Sequence, residues 1–147
     1  MIGPENLYGH DTGPLAGGVR PLRVHLEQTQ LGLKFVEAAR ECHAAELQRL
    51  IDRNAPVNFL DPIDHATALH YIAAYRARPA LRVILKSGKC DFLIRDGQGR
   101  LPSQLAREYG HDDAMARLLL IKEIQQAQAQ GIDPESLYKR STRRAAS

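Results

Sequence analysis

The sequence has no tryptophan, eight other aromatic residues (five Tyr, three Phe) and two cysteines in 147 positions. So few aromatic side chains argue against a β-sandwich, and abundant Ala and Leu favour helices. Cys42 and Cys90 are too few for a disulfide framework and are expected as two reduced thiols; metal binding needs more ligands at closer spacing. Charge of one sign is also missing. Twenty Lys and Arg face seventeen Asp and Glu, and a net +3 aids solubility without implying nucleic acid. No apolar run approaches the roughly 18 residues that span a bilayer. The start, M-I-G-P-E-N-L-Y-G-H-D-T-G-P, has neither the basic nor the apolar segment of a secretory signal. A soluble, cytoplasmic chain without a membrane span is the expectation.

What is present is internal repetition. Leu47, Leu81 and Met115 stand 34 residues apart, as do Leu50, Ile84 and Leu118, and Ile51, Leu85 and Leu119. Within each unit the spacing of these residues is i, i+3, i+4, which places three apolar side chains on one helical face. The same shift aligns Ala38, Ile72 and Ala106, and aligns Asn54 with Gly88. Asn and Gly both tolerate the left-handed conformation that ends a helix. The pattern predicts an all-α chain of three helical pairs. First helices are expected over about 34–41, 67–75 and 101–109, second helices over about 44–53, 78–87 and 112–130. Pro79 and Pro102 fall in first turns, where a missing N–H costs little. Asp112 and Asp113 fall at a helix start, where negative charge is favoured. One pair cannot bury its apolar face alone, so the pairs must stack as a short solenoid.

The middle unit reads T-A-L-H-Y-I-A-A at 67–74 and L-R-V-I-L-K-S-G at 81–88. The third has D-G-Q-G-R-L-P at 96–102 and L-A-R-E-Y-G-H-D-D at 105–113. The first keeps A-A-R-E-C-H at 38–43 and N-A-P-V-N at 54–58. Over about residues 33–122 these segments resemble the ankyrin repeat. Departures are specific: no T-P-L-H start in the first unit, Pro62 and His65 in the second unit's turn, Leu101 and Gln104 where the third would carry Thr and His. The resemblance implies an ankyrin-repeat solenoid with projecting turns, occupying 23–130 in units of about 33–61, 62–95 and 96–130. A flexible arm, 1–22, would precede it and a basic tail, 131–147, would follow.

Catalytic chemistry finds no constellation in the sequence. His65 and His70 are five apart, unlike the i, i+4 pair of a zinc helix, and the repeat accounts for His70 as a turn-tying residue. Thr67 can cap the helix that His70 lies in. Asp61 and Asp64 fall on a turn and are expected to be solvated. The glycines of D-G-Q-G-R lack the trailing Lys and Ser or Thr of a phosphate loop. No cofactor, metal or catalytic residue is expected.

The resemblance implies a non-catalytic protein-interaction module, an adaptor or an accessory subunit of a larger complex. Its contact positions would be Asp61, Ile63, Asp64 and Ala66 on one turn, and Arg95, Gln98 and Arg100 on the next. The concave helices would add Arg40, Glu41, Tyr75, Glu108 and Tyr109. Tyr and Arg are the strongest anchors in such a set, and an acidic turn beside a basic one suggests a partner with opposite charges in register. The helix over 112–130 outruns its unit, with Ile121 and Ile124 extending its stripe as a cap; a partner-binding helix is the alternative. The second functional reading is nucleic-acid association through Lys139, Arg140, Arg143 and Arg144. Four cations without interleaved aromatics speak against it.

Overall fold

Three apolar residues, Leu47, Leu50 and Ile51, share the inner face of the helix Ala44–Asp52 and are all buried. This helix is the second of six named helices in the computed structural model, which describes residues 15–138, with side chains described from residue 23. The helices are α1 (Leu15–Arg40), α2 (Ala44–Asp52), α3 (Ala68–Ala74), α4 (Arg78–Ser87), α5 (Pro102–Glu108) and α6 (Asp113–Ala129), and a short helical segment follows over 134–138. No strand occurs among the described residues, so the chain is all-helical there.

Boundaries follow local chemistry. Thr67 takes an extended conformation at the start of α3, and its backbone N–H donates to His70 Nδ1. Pro79 and Pro102 occupy first turns of α4 and α5. Asp112 caps α6 by accepting the Met115 N–H at 3.1 Å. Asn54 (φ 64°) and Gly88 (φ 69°) both adopt the left-handed conformation just after α2 and α4. The turns inside the helix pairs use non-glycine residues for the same purpose: Cys42 (φ 57°), Arg76 (φ 59°) and His111 (φ 48°). Each carries a local strain on the order of 1 kcal/mol that only the surrounding packing sustains.

The helices pair as α1 with α2, α3 with α4, and α5 with α6. Across pairs, α1 packs on α3, α3 on α5, and α2 on α4. Small residues allow the first row to approach closely: Ala38, Ala39, Ala68, Ala73 and Ala106 are all buried. Phe35, Leu47, Leu50, Leu69, Ile72, Ile84 and Leu119 fill the space between the rows, each fully buried and each contributing about 2 kcal/mol of transfer free energy.

Three expectations are corrected. The 1–22 arm is helical over 15–22, because α1 starts at Leu15 rather than near 34; residues 1–14 lie outside the described residues. The C-terminal tail does not begin at 131. Gly131 (φ 74°) ends α6, but the following segment returns to the body: Tyr138 donates its hydroxyl to Glu123 at 3.0 Å, and Arg95 bonds the Leu137 carbonyl at 2.6 Å. Lys139, Arg140, Arg143 and Arg144 lie outside the described residues. Lastly, the α6 stripe is rotated from its expected setting. Leu118 is 36% exposed and Ile121 47%, whereas Glu123 and Ala127 are fully buried. Position 118 is open because α6 packs on α5 and stands away from α4.

Candidate functional site

Two turns and two helices define a cleft. The turns cover 61–66 and 95–100, and α3 and α5 supply the walls. The cleft has a volume of about 460 Å³ and is lined by Ile63, Asp64, Tyr75, Gln98, Arg100 and Tyr109, with Tyr71, His65, Ala66, Asp96 and Gly97 among its other borders.

Each turn is closed by a carboxylate turned inward. Asp61 is 3% exposed; it accepts from the Ile63 N–H at 3.1 Å, the Asp64 N–H at 3.4 Å and the Tyr71 hydroxyl. Burial pushes its carboxyl up, but these donors and the Arg40 guanidinium outweigh burial and hold its pKa below the usual carboxylate value. Asp96 does the same for the turn of the following unit. It accepts from the Gln98 N–H (3.0 Å), the Arg100 N–H (2.9 Å) and the Arg100 Nε (2.9 Å). Burial again raises its pKa, and the Arg100 and Gln98 donors reverse the sign. The turns are tied to each other by the Gly97 N–H on the Asp64 carbonyl at 2.9 Å. A methyl group at Gly97 would lie 2.8 Å from that carbonyl oxygen, so this approach requires glycine.

His70 lies beneath the cleft, 1% exposed. Its Nδ1 accepts the Thr67 backbone N–H at 3.0 Å and sits 2.8 Å from the Thr67 hydroxyl; its Nε2 is 3.1 Å from the Arg100 carbonyl. An accepting Nδ1 leaves the proton on Nε2, which donates to Arg100. Burial lowers the pKa of the ring and keeps it neutral. Both nitrogens are therefore occupied in holding a turn, and His70 presents neither a base nor a ligand to the cleft. Gln104 repeats half of this device in the next unit: its Oε1 accepts the Leu101 N–H at 2.7 Å.

The exposed surface of the cleft is aromatic. Tyr75 is 52% exposed and Tyr109 57% exposed. Tyr71 stacks on Tyr75 with ring centres 6.2 Å apart, Arg40 covers Tyr71 at 5.3 Å, and Arg100 covers Tyr109 at 5.3 Å while donating to its hydroxyl at 3.0 Å. These cation–aromatic contacts hold the rings at fixed tilts.

Of the twelve positions proposed from sequence, Ile63, Asp64, Ala66, Tyr75, Gln98, Arg100 and Tyr109 come together around this one cleft, and Arg40 sits at its edge. The others are placed elsewhere. Glu41 lies in a separate shallow depression with Lys34 and Glu46, and Glu108 is exposed beyond the lining. Arg95 is directed to the Gly99 and Leu137 carbonyls. Asp61 is not the solvated turn acid that its position suggested, because turn closure draws it inside. The pattern of an acidic turn opposed to a basic turn shrinks accordingly: Arg100 is matched by Asp96, and Asp64 alone keeps an exposed carboxylate on its turn. Sequence reasoning missed Tyr71 and Asp96. Tyr71 is four residues before Tyr75 and therefore on its helical face. Asp96 is foreshadowed only by its place in the D-G-Q-G-R turn.

No cluster of three or more His, Cys, Asp or Glu side chains among the described residues is arranged to hold a metal ion. No helix there is long and apolar enough to cross a membrane. Cys90 has its pKa pushed up to about 12 by burial and by Asp91, so it is a poor nucleophile. No protein-family model matches the chain, and no curated protein matches it significantly.

Proposed function

We propose that the chain is an ankyrin-type repeat module that binds a protein partner, without catalysis, through the cleft between the second and third units. The observation that carries this reading is the pairing of Tyr75 and Tyr109, both more than half exposed, on the walls of one 460 Å³ cleft. Large rigid rings held in the open, Tyr75 by stacking on Tyr71 and Tyr109 by Arg100, have little to contribute to folding. They supply contact area at low entropic cost to a second molecule. The period of about 34 residues and the stacked helix pairs support the family reading. So does the use of His70 to tie its own turn to the next unit.

The partner segment that fits this cleft carries apolar or aromatic side chains between Tyr75, Tyr109 and Ile63, with a donor placed for Asp64. Affinity capture with the wild-type chain and with the Tyr75→Ala/Tyr109→Ala variant tests the reading. A stoichiometric protein partner is expected with the first and is lost with the second, while the helical circular dichroism spectrum is retained. Recovery of the same partner by both would refute the cleft as its site.

A further inference from the structure

The outer row of helices contains a second recess, unrelated to the tyrosine cleft. Whereas α2 packs along α4, α6 stands off from α4, and side-chain hydrogen bonds tie it to that unit near its two ends. At one end Arg78, on the first turn of α4, holds the α6 cap Asp112 through two bonds of 2.7 Å. At the other end Gln126 bonds the Phe92 N–H at 2.8 Å and the Asp91 carboxylate at 2.7 Å. Between these pins lies a groove of about 190 Å³ whose floor and walls are Leu81, Leu85, Met115 and Leu118. Its outer lip continues along α6 from Leu118 to Ile121, three residues on and 47% exposed.

The charged side chains that line the groove itself, Arg78 and Arg82, are cations. Arg82 and Lys86, four apart on α4, are exposed, and Lys122 lies one turn beyond Leu118 on α6. None of these three has an ion pair among the described residues. Asp112, two residues before the lining Ala114, is already taken by Arg78 and Arg76, and Asp113 lines a separate recess with Arg107, Ala116 and Arg117. An apolar floor with cations on both banks matches a ligand with apolar side chains flanked by carboxylates. The walls are helices, whose backbone groups are bonded internally, so the groove offers no edge for an extended strand. A helix brings its own backbone bonds and can lay an i, i+3, i+4 stripe into such a trough. The ten residues of α4 give about 15 Å of wall, room for about three helical turns. A bilayer surface fits less well, since the apolar floor is recessed between the helices.

We propose that the α4–α6 groove docks an acidic amphipathic helix of a protein partner. This inference does not rest on the cleft reading, and the two surfaces can be occupied together.

The test is fluorescence anisotropy of the full chain with two labelled synthetic helical peptides. Both carry the same leucine stripe; one is flanked by glutamate and the other by lysine. The glutamate peptide is expected to bind at least about tenfold more tightly, with an affinity that falls as salt is raised. Arg82→Glu/Lys86→Glu reverses the preference. Leu118→Glu weakens binding by about tenfold or more; Ile121→Glu, at a still more exposed position, gives the same loss if Leu118→Glu perturbs folding. Tyr75→Ala/Tyr109→Ala leaves this binding unchanged, which separates it from the cleft. Equal binding of both peptides, absence of glutamate-peptide binding, or indifference to Leu118→Glu and Ile121→Glu overturns the proposal. So does cosedimentation with phosphatidylserine vesicles in place of peptide binding.

Discussion

The Nε2 atom of His70 lies 3.1 Å from the carbonyl oxygen of Arg100, thirty residues further along the chain. One neutral ring thereby joins the start of its own helix to the turn of the next unit. The bond to Thr67 is local, and the bond to Arg100 exists only because the units are stacked.

Replacing His70 by Gln should preserve the local half of this device, since Gln104 already performs it in the third unit. His70→Ala leaves both a cavity and unpaired backbone groups, and should cost about 2–4 kcal/mol. The folded pKa of His70 lies below its ordinary 6.5. Below 6.5 the unfolded chain takes up a proton that the folded ring resists. Its stabilising contribution is thus complete above 6.5 and declines as pH falls. Thermal melts across pH 5–8 should show this decline in the wild type and a flatter curve in His70→Gln.

The buried Glu123 carboxylate gives a slope of the opposite sign. It accepts the Ser103 N–H (2.9 Å), the Ser103 hydroxyl (2.8 Å) and the Tyr138 hydroxyl (3.0 Å). Burial nevertheless raises its pKa above 4.5. Its contribution is greatest below 4.5 and diminishes as pH rises through the folded value. Glu123→Gln should remove this trend from pH-dependent melts. Tyr138→Phe should cost about 1–2 kcal/mol and speed hydrogen exchange over residues 132–138.

Asp112 serves α6 as a cap and Arg78 as a counter-ion. The Arg78 bonds, foremost, and the Met115 N–H hold its pKa down to about 2. The stabilisation is therefore present above 3.8 and vanishes as pH falls toward 2. Asp112→Ala should lower stability by about 1–2 kcal/mol as lost capping. Arg78→Met should cost less, because its side chain is half exposed, and calorimetric melts of the two variants distinguish the contributions.

Gly110→Ala should be among the most damaging small substitutions. Its added methyl would lie 2.5 Å from the Ala73 carbonyl oxygen and 2.9 Å from that of Ala106. Both are backbone atoms that cannot rotate away, so a loss of about 2 kcal/mol or more is expected in chemical denaturation. Gly88→Ala meets no atom within 4 Å and pays only for its left-handed backbone, about 1 kcal/mol.

The sequence by itself determined the three helix pairs, but not the start of α1 at Leu15 or the helical segment over 134–138. The i, i+3, i+4 spacing of Leu47, Leu50 and Ile51, and of their counterparts, located all three second helices to within about a residue or two, because amphipathic periodicity and capping are properties of neighbouring positions. The ankyrin resemblance, rather than any local pattern, supplied seven of the residues that meet at the cleft. Only the tertiary structure decided which charges face water: Asp61 and Asp96 turn inward because closing a turn leaves backbone N–H groups that need acceptors, and Glu123 is buried because Ser103 and Tyr138 converge on it. It likewise decided that Leu118 is open while Ile84, its counterpart in the repeat, is not. Coverage of an apolar side chain depends on the distance to the next helix, and no local pattern encodes that distance.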